Sequence, residues 1–454
     1  MIEYKSELHI TIPRILLMTL CLSTIAFVIS LSYEFSFTLV GVLVVISIFL
    51  ILMPLFLCKD IFHPFVILSI SMLLAVIDFL NKDLTNSSLM DFKLGEEYSL
   101  LIIICWYFFF YFGYLISNNL VFNSTIKIKL PMVKQNRKVA YFLWLIAIAS
   151  FIYTLYVIGG ISGMLNAMTH TTTAYSGLGY LRQLVGIGGI SALILLTGGY
   201  KKKSILILLA TVSMLILFGG RANVVLGIVL PFLMVFHYVV KKINILQLIT
   251  VGLIALLFVE LVGILRKVSQ SHFSIDNLWS LIVNAAGATG RANTVPWLVE
   301  SLLSGEIDYQ LGKPLLNIIF APIPRKFWDN KPEIIDGTVL IAHELTGSTN
   351  FGMPAGPYGE AFFNFGWIGV ILFAFLTGFI ISRVYTIFIK GREEQTVMNV
   401  VFYSLTIQSM LSIFSTSSQS RILWFFGIFL LIYLFDTLTS VKSRFNKLPI
   451  LAKK

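Results

Sequence analysis

The sequence predicts an all-α, polytopic integral membrane protein. Of its 454 residues, 57% are hydrophobic and only 12% are charged, against about 25% charged residues in an average soluble domain. So few polar side chains cannot cover the surface of a soluble protein, whereas lipid tails require no polar cover. The net charge of +11 matches the excess of Lys and Arg in the cytoplasmic loops of membrane proteins, so we expect no nucleic-acid partner.

Twelve apolar runs have the length of a membrane span, which needs about 20 residues. The first follows a polar N-terminus without a small-residue cleavage site, so we expect an anchor rather than a cleaved signal peptide. The predicted spans are 15–31, 36–57, 61–80, 98–117, 139–158, 182–199, 203–219, 222–240, 244–265, 367–389, 397–415 and 422–440.

Charged residues between the spans predict the topology. Basic residues concentrate in every second connection and in the tail, while the first outer loops are neutral or acidic. This alternation is typical of basic loops that stay in the cytoplasm, and it predicts that both termini are cytoplasmic. The predicted cytoplasmic connections are 58–60, 118–138, 200–203, 241–243, 390–396 and the tail after 440.

One long polar interval, residues 266–366, then falls on the outer side. It divides the chain into spans one to nine (1–265), the outer loop, and spans ten to twelve with the basic tail (367–454). The loop contains apolar pieces that are too short to span, so we expect short interfacial helices. These pieces are 278–286, 295–303, 315–320 and 339–345. A loop with this much internal pattern is typical of an ordered functional segment rather than a linker.

The three cysteines, Cys21, Cys58 and Cys105, lie in or beside apolar runs and are expected to be packing residues. The sequence contains no Cys-x-x-Cys and no His-Glu-x-x-His spacing. We therefore expect neither a metal site nor a disulfide framework.

Basic residues on the outer side are the exceptions to the charge pattern. Arg near lipid requires a partner, and its planar, permanently charged guanidinium binds phosphate with two parallel hydrogen bonds. Pairing with outer carboxylates or lipid headgroups is the alternative for any one of them. The set comprises Arg182, Arg221, Arg266, Lys267, Arg291, Arg325, Lys326, Lys331 and Arg421.

Two of these arginines follow glycine in a Gly-Arg-Ala-Asn tetrapeptide. Arg221 lies between two predicted spans with almost no loop, and Arg291 lies in the outer interval. A Gly-Arg at the start of a helix places a guanidinium beside free backbone N–H groups, an arrangement that suits a phosphate. Residues 322–332 add a stiff basic-aromatic segment with Arg325, Trp328 and Lys331, whose alternative role is an interface anchor.

Glu360 is the leading acidic candidate. It lies in the stretch Tyr358-Gly-Glu-Ala-Phe-Phe-Asn364-Phe-Gly366, at the membrane end of the loop, where a carboxylate is expected to have a task or a partner. His343 and His272 are candidate bases, although a lone histidine in a loop is more often a polar surface residue.

Three motifs together resemble a known family. They are Gly-Gly-Arg221 between two spans, Pro-Arg325-x-x-Trp328-x-x-Lys331-Pro, and Gly-Glu360-x-x-x-Asn364-Phe-Gly before the next span. This arrangement is similar to that of the oligosaccharide repeat-unit polymerases, the Wzy-type O-antigen and capsule polymerases of bacteria. The resemblance covers most of the chain.

The resemblance implies a metal-independent, GT-C-type glycosyltransferase of the bacterial inner membrane that uses no cofactor. It would move a glycan from undecaprenyl diphosphate to the next lipid-linked repeat unit at the outer face. Arg221, Arg291 and Arg325 would then bind the diphosphate, and Glu360 would act as base or orient the acceptor. Further substrate contacts are expected from Arg266, Lys331, Arg421, Arg182, Trp328, Tyr358, Asn364 and His343. A chain-length regulator and a flippase are the partners that the resemblance implies, beside membrane lipids.

Two other functions stay open at this point. An O-antigen ligase-type enzyme shares the chemistry, and only the motifs favour the polymerase. A flippase or exporter of lipid-linked glycans should place charges along several spans and show broken helices in similar halves. The concentration of polar residues in one late loop favours an enzyme over a transporter.

Overall fold

The computed structural model describes the greater part of the bundle. The described residues are 39–85, 93–119, 137–167, 178–218, 224–244, 246–248, 250–255, 257–258, 291–316, 328, 337–349, 351–390, 395–410, 413–415, 427 and 430.

The regular structure in these residues is helical. The helices are α1 (Leu39–Leu57), α2 (Pro64–Thr85), α3 (Lys93–Asn119), α4 (Arg137–Ile158), α5 (Gly160–Ala167), α6 (Gly179–Thr197), α7 (Lys201–Leu217), α8 (Val225–Val240), α9 (Arg291–Ser304), α10 (Gly337–Thr346), α11 (Gly356–Tyr385) and α12 (Val397–Met410). A 3₁₀ turn, Lys313–Leu316, follows α9, and π turns form both ends of α8 and the end of α11.

Three described helices are long and apolar enough to cross a membrane: Leu94–Asn118, Arg137–Ile158 and Gly356–Lys390. Shorter apolar helices, Leu181–Thr197, Val225–Val240 and Val397–Met410, coincide with further predicted spans. The helical character predicted from the sequence is confirmed. The count of twelve spans stays a prediction, since span 15–31 and almost all of span 422–440 lie outside the described residues.

Large apolar side chains cover the outside of α4 and α7. Leu145 on α4 and Leu206 on α7 are 65% and 70% exposed. Ile152 and Leu209 are exposed on the same two helices. An apolar surface of this kind is stable against lipid tails but not against water. The bundle therefore has the exterior of a membrane protein.

The central contact of the bundle joins α3 to α11 through two glycines. A Cβ atom added to Gly378 would lie 2.0 Å from the backbone oxygen of Phe110, and one added to Gly113 would lie 2.1 Å from that of Phe375. The two backbones therefore touch at both points, with no room for a side chain. Lipid tails are as apolar as the helix surfaces, so close packing of small residues is what holds helices together in a membrane.

Helices α4, α6 and α7 form a second group in which hydroxyls cross between helices. Ser191 on α6 donates to the carbonyl of Ala140 on α4 at 2.7 Å, and Ser204 on α7 donates to that of Ala192 on α6 at 2.7 Å. A Cβ atom on Gly188 would meet the hydroxyl of Thr211 at 2.4 Å. Such contacts are typical of helices packed in membranes.

Asp60, in the connection between α1 and α2, joins the ends of four helices. Its Oδ2 accepts hydrogen bonds from the hydroxyls of Tyr238 on α8 (2.6 Å) and Tyr385 on α11 (2.8 Å). Its Oδ1 accepts from the backbone N–H of Phe62 at 3.0 Å and lies 3.7 Å from His237 Nε2. Because only 12% of the carboxylate side chain is exposed, these donors replace the water it has lost.

Two of the three cysteines lie in the described residues, and both pack against the core, as the sequence predicts. Cys58 and Cys105 are free thiols, and Cys58 Sγ lies 3.5 Å from His63 Nδ1. Burial, with a smaller contribution from the Asp60 carboxylate, raises the pKa of the Cys58 thiol to about 12. Cys58 is therefore a neutral packing residue at ordinary pH. Cys21 lies outside the described residues.

Replacing Gly378 by Ala should destabilise the bundle. The new methyl group would overlap the backbone of Phe110, and such overpacking costs about 1–3 kcal/mol. Thermal unfolding in detergent, followed by tryptophan fluorescence, measures the effect. Gly186→Ala on α6 is the matched control, since nothing lies within 4 Å of its added Cβ atom. Equal unfolding midpoints for the two variants would contradict the close contact.

Replacing Asp60 by Ala should also lower the unfolding midpoint. The hydroxyls of Tyr238 and Tyr385 would each lose their acceptor, and a buried unsatisfied group costs about 1–3 kcal/mol. Asp60→Asn keeps one acceptor oxygen and should lie between Asp60→Ala and the native chain. Asp308→Ala removes an exposed carboxylate and serves as the control. If Asp60→Ala and Asp308→Ala unfold alike, the cluster does not hold the helix ends together.

Candidate functional site

Tyr358, Glu360 and Asn364 lie on a short helix at the start of α11, and all three are buried. Pro357 occupies the first turn of this helix, where its missing N–H is not needed and its fixed φ favours the helix. The helix covers residues 356–364 and belongs to the interval that the sequence predicts as the outer loop.

The helix breaks at Phe365 and Gly366. Gly366 has φ 59° and ψ −143°, a combination that is essentially restricted to glycine. The second part of α11, residues 367–385, then continues as the predicted span. The break therefore falls where the predicted loop ends and the predicted span begins.

A loop after α9 accounts for the backbone groups that the break leaves without a helical partner. The N–H of Gln310 donates to the carbonyl of Phe363 at 3.1 Å, and that of Leu311 donates to the carbonyl of Asn364 at 2.9 Å. The ring of Tyr309 packs beside Gly366, where an added Cβ atom would lie 3.4 Å from it. A broken helix at membrane depth needs such partners, because lipid supplies none.

Glu360 is 2% exposed. The hydroxyl of Ser415, which follows α12, donates a hydrogen bond to Glu360 Oε1. Asn364 Nδ2 donates to the backbone oxygen of Glu360 at 2.8 Å. Among the described residues, the buried Oδ1 atom of Asn364 has no hydrogen-bond partner. Glu360 and Asn364 thus provide two buried acceptor groups, one turn apart on one short helix.

Helix α9, which begins at Arg291, packs against the short helix that carries Glu360. A Cβ atom on Gly359 would lie 3.4 Å from a methyl group of Val295. Val295 is four residues after Arg291, a distance of about 6 Å along a helix at 1.5 Å per residue. The backbone of Arg291 therefore precedes the Val295–Gly359 contact by about one turn of α9.

The position of α9 is set by its contact with the first turn of α3. Glu300 Oε2 accepts a hydrogen bond from the backbone N–H of Gly95 at 3.2 Å, one of the N–H groups that a helix start leaves unpaired. A Cβ atom on Gly95 would lie 2.3 Å from the carbonyl oxygen of Pro296. Of the short helices predicted in the loop, those at 295–303 and 339–345 are present as α9 and α10, and α9 packs on the bundle. Piece 278–286 lies outside the described residues.

The other predicted residues lie on other helices or outside the described part of the chain. His343 on α10 is exposed and its Nδ1 lies 3.8 Å from Glu344 Oε1. Arg182 is half-buried in the first turn of α6, a helix that packs against α4 and α7, and Trp328 is half-buried. The predicted residues outside the described part of the chain are Arg221, Arg266, Lys267, His272, Arg325, Lys326, Lys331 and Arg421.

A match to a protein-family model decides the family. A family model described as O-antigen polysaccharide polymerase Wzy matches residues 12–443. The chain belongs to the Wzy O-antigen polymerase family. Comparisons with curated proteins and with solved structures give no match. The resemblance stated from the motifs is thus confirmed for nearly the whole chain.

Membership of the Wzy family explains the main features of the molecule. Wzy polymerases build O-antigen polysaccharide from lipid-linked glycans, so the chain is a bacterial membrane protein with a glycosyltransferase-type activity. The kinked helix with Glu360 lies at the start of the long apolar helix α11.

Ser415 is the residue of this site that the sequence did not single out. It lies at the end of predicted span 397–415 and begins the polar run Ser-Thr-Ser-Ser-Gln-Ser. A polar run directly after an apolar span is the pattern that indicates it. Its contact with Glu360, 55 residues away, depends on tertiary structure.

Replacing Gly366 by Ala should impair both folding and polymerisation in this Wzy protein. A side chain at this φ and ψ is strained by about 1–3 kcal/mol, and relaxing the strain would move Glu360 relative to Ser415. The measurements are the unfolding midpoint in detergent and the O-antigen ladder of a deletion strain that carries the variant. Gly199→Ala is the control, since Gly199 also has a positive φ, 86°, but lies in open space between α6 and α7. A full ladder from Gly366→Ala would show that the break is dispensable.

Proposed function

We propose that the chain polymerises undecaprenyl-diphosphate-linked oligosaccharide repeat units into O-antigen or capsular polysaccharide at the outer face of the inner membrane. The buried contact between Glu360, on the short helix before the break in α11, and Ser415, after the end of α12, is the observation that carries the assignment to this site.

In the proposed reaction, a hydroxyl oxygen of the acceptor repeat unit attacks the anomeric carbon of the donor glycan. The bond between that carbon and the diphosphate oxygen breaks, and its electron pair remains on undecaprenyl diphosphate. Glu360 orients the acceptor hydroxyl and takes its proton as general base. The new glycosidic bond, the protonated carboxyl group and the released diphosphate balance the atoms and charges.

Arginines stabilise the diphosphate leaving group in this proposal. Charge develops on the diphosphate oxygens as the bond breaks, and a fixed guanidinium is worth more at that moment than in the ground state. Arg291 is the first residue of α9, whose first turns pack beside the helix of Glu360. Arg221 and Arg325 complete the proposed diphosphate site, so no metal ion is required. Arg266, Lys331, Arg421, Arg182, Trp328, Tyr358, Asn364 and His343 remain proposed substrate contacts.

The burial of Glu360 suits a transfer to sugar rather than to water. Because the carboxylate is 2% exposed, bulk water does not compete with the acceptor for its proton-accepting oxygens. Excluding water prevents hydrolysis of the activated donor. The proposed reaction therefore takes place in an enclosed site beneath the outer surface.

The proposed orientation has cytoplasmic termini and a periplasmic long loop. Contacts of Asp60 bring the α1–α2 connection to the ends of α8 and α11, as the alternation of loops requires. Lys59, Lys241, Lys242 and Lys390 lie beside these helix ends, and basic loops stay in the cytoplasm. Glu360 and α9 lie at the opposite ends of α11 and α3.

The deciding experiment is the glycan ladder of a deletion strain that carries Glu360→Gln or Arg291→Ala. Each should reduce polymerisation about 100-fold or more, the usual contribution of a general base or of a charge-stabilising donor. A single-repeat band should remain, because transport and ligation persist. Glu393→Gln and Arg137→Ala change the same residue types in predicted cytoplasmic connections and should give a full ladder.

The other outcomes separate the alternative functions. Loss of all surface glycan with accumulation of lipid-linked material would show a ligase or a flippase instead of a polymerase. An unchanged ladder from Glu360→Gln would remove Glu360 from the reaction.

A further inference from the structure

Glu360 and Ser415 meet from two separate elements. Glu360 lies on the short helix before the break in α11, and Ser415 lies five residues after the end of α12. Both are buried, at 2% and 1% exposure, and the Ser415 hydroxyl donates to Glu360 Oε1. A carboxylate placed away from water needs such a donor.

Aromatic stacking fixes the backbone next to Ser415. Phe414 stacks on Phe373 with ring centroids 4.5 Å apart and an angle of 14° between the planes. Phe373 also meets Phe365, at the helix break, edge to face at 5.7 Å. The residue before Ser415 and the break after Asn364 therefore rest on the same ring.

The helix that carries this segment is itself tied to the bundle. Gln408 Nε2 donates to the carbonyl of Leu226 on α8 at 2.8 Å, and the N–H of Ile413 donates to the carbonyl of Met410 at 3.2 Å. The first bond holds α12 against α8 and the second orders the backbone before Ser415, so the hydroxyl of Ser415 has a defined position.

Ser415 differs from the buried serine that precedes it. Ser409 on α12 donates to the carbonyl of Leu405 in its own helix at 3.0 Å, the usual solution for a buried serine in a membrane helix. Ser415 donates instead to a carboxylate in another helix. The Ser415 hydroxyl therefore stabilises a charged group on another helix, in addition to making its own hydrogen bond.

We infer that Ser415 is the positioning residue for Glu360, holding its carboxylate in the orientation that accepts the proton of the acceptor hydroxyl. This inference rests on the proposed function of Glu360. A carboxylate can rotate about its last side-chain bond, and a fixed donor on one oxygen restricts that rotation. Such outer contacts keep a catalytic group within the narrow geometry that the reaction needs.

The test uses the full chain in membranes, with undecaprenyl-diphosphate-linked repeat units extracted from the deletion strain as substrate. Initial rates at increasing substrate concentration give kcat and KM for Ser415→Ala, Ser415→Thr, Glu360→Gln and the double variant. Ser409→Ala is the matched control, because it removes a buried hydroxyl that does not contact Glu360. Unfolding midpoints of all variants report folding.

We expect Ser415→Ala to lower kcat about 10- to 100-fold, the effect of a small misplacement of a catalytic group. KM should stay within about two-fold, because substrate binding does not use this hydroxyl. Ser415→Thr should recover part of kcat. On the Glu360→Gln background, Ser415→Ala should cause no further loss, since two residues that act as one unit are not additive.

Three outcomes would overturn the inference. They are a kcat for Ser415→Ala equal to that of Ser409→Ala, an undiminished further loss on the Glu360→Gln background, and a fall in activity matched by a fall in the unfolding midpoint. A native kcat for Glu360→Gln alone is a separate result, which would remove the proposed role of Glu360 itself.

Discussion

The direct contact between the backbones of α3 and α11 is the constraint on which the rest of the structure depends. Gly113 and Gly378 let each helix approach a carbonyl of the other, at Phe375 and Phe110. In a membrane, where burying apolar surface gains little over lipid, this approach maximises van der Waals contact. Every element of the candidate site is attached to one of these two helices. Glu360 lies on α11 itself, and α9 packs on the first turn of α3 through Gly95, Pro296 and Glu300.

The two ends of the α3–α11 pair are stabilised in different ways. At one end, Asp60 collects hydroxyl and N–H donors from Tyr238, Tyr385 and Phe62 and ties separate helices together. At the other end, α11 breaks at Gly366, and the loop at Gln310 and Leu311 satisfies the carbonyls that the break releases. At the first end, the Asp60 carboxylate is the hydrogen-bond acceptor that the neighbouring helix ends share. The second keeps a buried carboxylate, Glu360, just before the break in α11.

The outer loop is therefore part of the catalytic apparatus that we propose, and not a separate lid. Its helix α9 places Val295 against Gly359, and its residues 309–311 close the break after Asn364. Ser415 reaches the same carboxylate from beyond α12, fixed by the stacking of Phe414 on Phe373. Groups from three distant parts of the chain meet at one short helix. A glycosyl transfer in which water must be excluded benefits from such an enclosed arrangement.

The sequence by itself determined the class of protein and much of its outline. Apolar runs predict membrane helices because lipid cannot satisfy backbone groups, and most of the described helices fall on them. Three motifs together indicated the family, and the one around Glu360 and Asn364 also singled out the carboxylate that proves to be buried. Composition could not show that Gly366 breaks a helix, since glycine serves both in turns and at close contacts between membrane helices. It could not show the partner of Glu360 either. Ser415 is one of several serines in a polar run, and only the packing of α12 against α11 decides which one meets the carboxylate. The sequence pattern shows that a segment is apolar enough to lie in a membrane, or that a carboxylate such as Glu360 needs a hydrogen-bond donor. Which helix or side chain lies against it is decided by tertiary packing, because close glycine contacts determine which helices come together.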